Sequence, residues 1–125
     1  MNYPYQPSAL LSPDHEEFRS VVRDFVEREI RPNATAWEEA GEVPRDLYYK
    51  AAAAGFLGLR YEERLGGMAQ DFFPTVILCE ELAKGDSIGA AVALMAQTEF
   101  ALSAMADDAS DEIKEKWMIP AIKGE

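Results

Sequence analysis

Five side chains of the 125-residue chain have the chemistry to act on a substrate: the adjacent carboxylates Glu80 and Glu81, a third carboxylate Glu99, the single histidine His15 and the single cysteine Cys79. General acid–base work needs two titratable groups converging on one substrate atom. Adjacent helical residues point about 100° apart, so Glu80 and Glu81 diverge. One is expected to face solvent and the other to bond a neighbouring helix. Glu99 interrupts an apolar stretch, where burial would raise its pKa; a position facing solvent or another domain is expected instead. His15 stands among acids and is expected to be solvated. Cys79 lies in an apolar run and is expected to be a buried, inert thiol. One histidine and one cysteine cannot build a disulfide framework or a His- or Cys-based metal site. Nucleophile, base and orienting group do not come together, so no catalytic residue and no metal ligand is assigned.

Glycines offer a second kind of chemistry, phosphate binding. A dinucleotide loop needs a strand, a G-x-G-x-x-G turn and a helix start. Gly55-x-x-Gly58 follows a helical pattern and Gly66-Gly67 has no preceding strand, so both read as helix stops and turns. Twelve basic against 23 acidic residues give a net charge of −11, which disfavours nucleic acid and anionic membranes as partners. With 48% hydrophobic residues the chain is too apolar for a disordered acidic tail. Its length suits one modest core rather than a complete multi-domain enzyme. The first basic residue is Arg19 and the early apolar run Ala9-Leu10-Leu11 is short, so neither an export signal nor a presequence is expected and the location expected is cytoplasmic. Ile88 to Ala106 approaches spanning length, but Gln97, Thr98, Glu99 and Ser103 within it argue against a membrane helix.

Helices are the elements that position these groups. Residues 1–11 are non-periodic and read as an extended arm. Ser12-Pro13-Asp14 starts a helix, with Phe18, Val21, Val22, Phe25, Val26 and Ile30 on one face and Arg19, Arg23, Asp24, Glu27 and Arg28 largely off it. Pro32 ends or kinks it, and a short piece from Ala34 to Ala40 runs to Gly41. Pro44 opens a third helix to Ala54, and a loop follows to Gly67. Phe72 to Ala83 is expected to be a buried helix, Asp86 or Ser87 to cap a long one from Ile88 to Asp107, and Ser110 to begin the last, ending near Pro120 to Gly124. The spacing predicts an all-α, up-and-down antiparallel bundle of five to six helices. Aromatic residues mostly coincide with core faces.

In order and spacing these segments resemble the amino-terminal helical domain of the acyl-CoA dehydrogenase family over residues 12–125. The resemblance is carried by Phe18-Arg19 through Phe25 and Glu29-Ile30-Arg31-Pro32, and by Gly41-Glu42-Val43-Pro44 with Ala54-Gly55-Phe56-Leu57-Gly58-Leu59. Leu65-Gly66-Gly67 with Asp71, Glu80-Glu81-Leu82-Ala83, and Ser110-Asp111-Glu112 through Lys116-Trp117 to Gly124-Glu125 complete it. Glu62 stands where the family often has Pro, Ala69 where it has a third loop Gly, Ala109 near a Gly and Met95 near a His.

The resemblance implies an FAD-dependent oxidation of acyl-CoA to trans-2-enoyl-CoA, with electrons leaving through an electron-transfer flavoprotein and a homo-oligomeric full-length enzyme. It places the glutamate base in a carboxy-terminal helical domain and much of the flavin contact in a middle β domain, and gives these helices the work of helping to wall the acyl pocket. Counted from Glu80-Glu81-Leu82-Ala83, the tail-facing positions are Ala90, Leu94 and Thr98. Their i, i+4, i+8 spacing shares one helix face, suited equally to core packing. Alternatives are the same domain of an acyl-CoA oxidase or flavin-dependent monooxygenase, or a non-enzymatic acidic module that binds a protein.

Overall fold

The structure, a computed structural model, describes residues 8–125. Of the arm expected over residues 1–11, residues 1–7 lie outside the described residues. Ser8 to Leu11 form a turn closed by the Leu11 N–H on the Ser8 carbonyl (3.1 Å). Among the described residues every regular element is helical.

Helix α1 (Pro13–Phe25) starts where Ser12 and Pro13 dictate: the Ser12 hydroxyl accepts the His15 N–H, and His15 Nδ1 accepts the Ser12 N–H in return. Pro32 then kinks the chain. It has no N–H for the Arg28 carbonyl, and its ring crowds that carbonyl. A wide π-turn at Val26–Ile30 and a tight 3₁₀-turn at Arg31–Asn33 absorb the misfit, and the rod continues as α2 (Ala34–Ala40). Gly41, at φ +66°, stops it in the left-handed conformation. Helix α3 (Arg45–Ala53) follows, then two 3₁₀-turns at Phe56–Gly58 and Glu63–Leu65. Helix α4 is Phe73–Leu82. Helix α5 (Ile88–Met95), capped by Ser87, passes through a second π-turn at Ala96–Ala101 into α6 (Leu102–Asp108). Helix α7 (Asp111–Ile122) is capped by Ser110, carries Pro120 inside it and ends within the expected Pro120 to Gly124. Joined through their π- and 3₁₀-turns, these segments make five rods.

Helices α1 and α4 lie side by side, and their contacts run in ascending register. His15 meets Phe73, Arg19 meets Glu80, Arg23 meets Glu81, and Val26 and Ile30 close on Gly85. These two neighbours are therefore parallel, and α3 and the loop after it carry the chain back to the starting end.

The main core joins Val22, Phe25, Val26 and Ile30 to Leu47, Phe56, Leu57, Leu59, Leu78, Leu82, Ala90 and Leu94. A smaller cluster of Tyr61, Leu65, Leu102, Met118 and Ile122 seats α7 against the second 3₁₀-turn and α6. The segment from Gly55 to Gly67 is thus core as much as connection. Six of its residues are buried, Phe56, Leu57, Gly58, Leu59, Tyr61 and Leu65, because the 3₁₀-turns and the residues between them turn this stretch inward.

Candidate functional site

Glu81 is the buried hub of the α1–α4 contact, with 1% of its surface exposed. Its Oε1 accepts from Arg19 Nη1 (3.0 Å), Arg23 Nη2 (3.3 Å) and Lys84 Nζ (2.7 Å), and its Oε2 accepts from Arg23 Nε (3.1 Å). Burial pushes the carboxyl up, but the hydrogen bonds from Arg23, Lys84 and Arg19 outweigh it and hold the pKa at about 2. A carboxylate with that pKa and those partners stays ionised and cannot serve as a base near neutral pH. Glu80 is half-exposed and takes a 2.6 Å hydrogen bond from Arg19. The expected division, one carboxylate outward and one onto a neighbouring helix, therefore holds, with the outer one also tied to α1. Arg19 corrects the expectation that it lies off the apolar face. It is buried, because Glu81, sixty-two residues on, supplies its counter-charge.

His15 is not a solvated residue. Besides closing the cap, its ring packs on Phe73 at 5.3 Å and Nε2 lies 3.7 Å from Asp71. Cys79 is likewise a correction, since its thiol is exposed on the outer side of α4, which buries Thr75, Ile77, Leu78, Glu81 and Leu82 instead. Glu99 is mostly buried and its Oε2 accepts from Arg60 Nε (3.0 Å). The Arg60 guanidinium lies over the rings of Tyr61 (5.4 Å) and Phe72 (5.9 Å). Tyr61 in turn donates to the Thr98 carbonyl. Burial, then the Glu99 charge, pushes the Tyr61 hydroxyl up to about 12.

Ala90, Leu94 and Thr98 do share one face, and it is the inward one. All three are buried, Ala90 and Leu94 within the main core, and the Thr98 hydroxyl donates to the Leu94 carbonyl (3.2 Å). The opposite face of α5 is open. Ile88 is 77% exposed, Val92 55% and Phe100 71%. With Cys79 of α4, Ala83 just beyond its end, and Ala91 and Met95, they line an apolar groove of about 370 Å³. Sequence reasoning missed this face because helix α5 is apolar nearly all round, and periodicity cannot choose a side when both sides are greasy. The aromatic expectation holds for Phe18, Phe25, Trp37, Tyr48, Phe56 and Tyr61, which lie in or against the core, while Tyr49, Phe72, Phe73, Phe100 and Trp117 are exposed.

The helix Ile88–Asp108 is long and apolar enough by composition to cross a membrane, with mean hydropathy 1.4, yet only 22% of that stretch is buried. Ala90, Leu94, Thr98 and Leu102 pin one side of it into the bundle. FAD, which the resemblance implies, carries a pyrophosphate and a ribityl chain that need several polar partners. The groove beside α5 is lined by apolar side chains and one thiol, so these residues do not fit FAD. Among the described residues no group of three or more His, Cys, Asp or Glu is gathered to hold a metal.

Among the described residues the domain is all-helical, its ion pairs lock helices together, and its open face is apolar. The sequence profile of the family "Acyl-CoA dehydrogenase, N-terminal domain" matches residues 12–125, and the chain belongs to that family as its amino-terminal domain. It is 40% identical over 80 residues to the mitochondrial long-chain specific acyl-CoA dehydrogenase of Sus scrofa, covering 64% of this chain and 19% of that protein. Its fold superposes on the crystal structure of an acyl-CoA dehydrogenase from Geobacillus kaustophilus with a TM-score of 0.84 and 30% identity, over 94% of this chain and 30% of that one. A glutaryl-CoA dehydrogenase of Mycobacterium smegmatis, solved in complex with FADH2, gives a TM-score of 0.83 at 25% identity, over 92% of this chain and 29% of that one. The chain thus spans less than a third of the length of these relatives.

Proposed function

We propose that this domain works in an FAD-dependent acyl-CoA dehydrogenase that converts acyl-CoA thioesters to trans-2-enoyl-CoA, passes electrons to an electron-transfer flavoprotein, assembles as a homo-oligomer and acts in the cytoplasm. The observation that carries the reading is the family match over residues 12–125. FAD is bound chiefly by parts of the enzyme outside these residues. Helices α4 and α5 wall the acyl end of the pocket, with Ala90, Leu94 and Thr98 as the packed layer that sets how far a tail penetrates.

The 125-residue chain, mixed with FAD, an acyl-CoA and a dye acceptor, is expected to give no turnover. Turnover at the rate of an intact dehydrogenase overturns this division of labour. In a protein carrying the two further domains, Leu94→Ala is expected to shift the acyl-length preference toward longer tails. An unchanged preference removes Leu94 from the wall. The oxidase and monooxygenase readings share this domain and are separated by whether oxygen or the flavoprotein takes the electrons.

A further inference from the structure

We infer that Tyr61 is a positioning residue: its hydroxyl holds the π-turn Ala96–Ala101 in register and so sets the face that α5 and α6 present at the acyl wall. The link to the wall rests on the reading proposed above.

Buried positions along this helix recur at Ala90, Leu94, Thr98 and Leu102. Four residues of an α-helix turn about 400°, so each step overshoots by about 40° and three steps by about 120°. A uniform α-helix would carry Leu102 off the face that starts at Ala90. One wide turn takes up the excess, because i→i+5 bonding fits an extra residue into the turn. The Leu102 N–H accordingly bonds the Gln97 carbonyl. In an α-ladder that donor belongs to the Thr98 carbonyl. The Tyr61 hydroxyl donates to the Thr98 carbonyl in its place.

Tyr61 can hold the turn because it is itself fixed. Its side chain is buried with Leu65, Leu102, Met118 and Ile122. Its N–H donates to the Gly58 carbonyl (3.3 Å) and its carbonyl accepts the Ala69 N–H (2.9 Å). The neighbouring residues of the turn are gripped as well: Arg60 Nε donates to Glu99 (3.0 Å), and Gln97 Nε2 donates to the Ala121 carbonyl of α7 (2.6 Å). Without the Tyr61 hydroxyl the buried Thr98 carbonyl lacks that donor. It recovers one by taking back the Leu102 N–H, which tightens the π-turn to an α-turn and rotates α6 by about 100° against α5. Thr98 and Leu102 then no longer share the inward face.

Hydrogen exchange of the 125-residue chain followed by NMR tests the clamp. Tyr61→Phe keeps the ring and removes only the hydroxyl. Protection of the Leu102 amide is expected to fall about ten-fold or more, with the Val22 and Leu78 amides unchanged. Met118→Leu disturbs the same cluster without touching the bond and should leave Leu102 protected. In a protein carrying the two further domains, Tyr61→Phe is expected to shift the kcat/KM ratio of a long against a short acyl-CoA about three-fold or more, and Met118→Leu is not. Unchanged Leu102 protection in Tyr61→Phe overturns the inference, as does the same loss of protection in Met118→Leu. An unchanged acyl-length ratio in Tyr61→Phe, where Leu94→Ala does shift it, overturns the role in specificity. If Leu94→Ala leaves the ratio unchanged too, the wall itself fails and that role with it, while the exchange result still decides the clamp.

Discussion

At Glu81 three cations converge on one buried carboxylate. Its carboxyl titrates near 4.5 when unfolded and at about 2 when folded. A depressed folded value means stability that is complete above the unfolded pKa and is lost as pH falls from about 4.5 toward 2. Acid titration of the unfolding free energy should show that loss, at most about 3 kcal/mol, and Glu81→Gln should flatten it. The same variant leaves Arg19 buried beside a neutral amide. Glu80 and Glu16 remain as its partners, so a cost of about 2–3 kcal/mol is expected in urea unfolding at pH 7.

Ala69 is the opposite case, a residue in the wrong conformation. Its φ is +48°, a left-handed backbone that costs an L-residue about 1–2 kcal/mol. The position is fixed because the Ala69 N–H donates to the Tyr61 carbonyl (2.9 Å), and Gly67 must lie so close to that peptide that no Cβ fits there. Ala69→Gly should raise stability by about 0.5–1 kcal/mol after the extra unfolded-state entropy of glycine, measured by the shift in urea midpoint.

At the scale of elements, starts and stops are set locally and contacts are set remotely. Ser87 joins the two. Its hydroxyl accepts the Ala90 N–H to cap α5 and donates to Glu38 Oε1 of α2 at 2.7 Å. That hydroxyl, with the Gly89 N–H, draws the Glu38 carboxyl below its usual range. Ser87→Ala should cost about 1–2 kcal/mol, and NMR titration should find the Glu38 carboxyl moved back up. A variant that lost only stability would confine Ser87 to capping. The two π-turns also belong here. The first has a local cause in Pro32; the second contains no proline, and there the Thr98 hydroxyl donates to the Leu94 and Met95 carbonyls while Tyr61 donates to the Thr98 carbonyl. Its effect is visible: Thr98 and Leu102 both point into the protein while Phe100 between them points out.

At the scale of the molecule, the domain is finished on one side and open on the other. The core is closed by α1, α3, α4 and the 3₁₀-turns, while a long apolar helix keeps most of its surface uncovered. That imbalance leaves Ile88, Val92 and Phe100 at the surface. It also reads the acidity: residues 65–125 hold 11 acids and 4 bases around the most apolar helices, a charged shell that keeps a greasy domain dispersed.

The sequence by itself determined the helices, because their signals are local: the Ser12 and Ser110 caps, the period of Phe18 to Ile30, the stops at Gly41 and Gly55. Ordered spacing of short motifs was enough to point to the family as well. Only the tertiary structure decided which side of each helix is inside. Arg19 is buried, Cys79 exposed, and Ala90, Leu94 and Thr98 turned inward, because each outcome depends on a partner from a distant part of the chain: Glu81 for Arg19, and α1 with the 3₁₀-turns for α5. Periodicity ranks faces by their contrast, and a helix such as α5 has almost none; only a neighbour in space can break that tie.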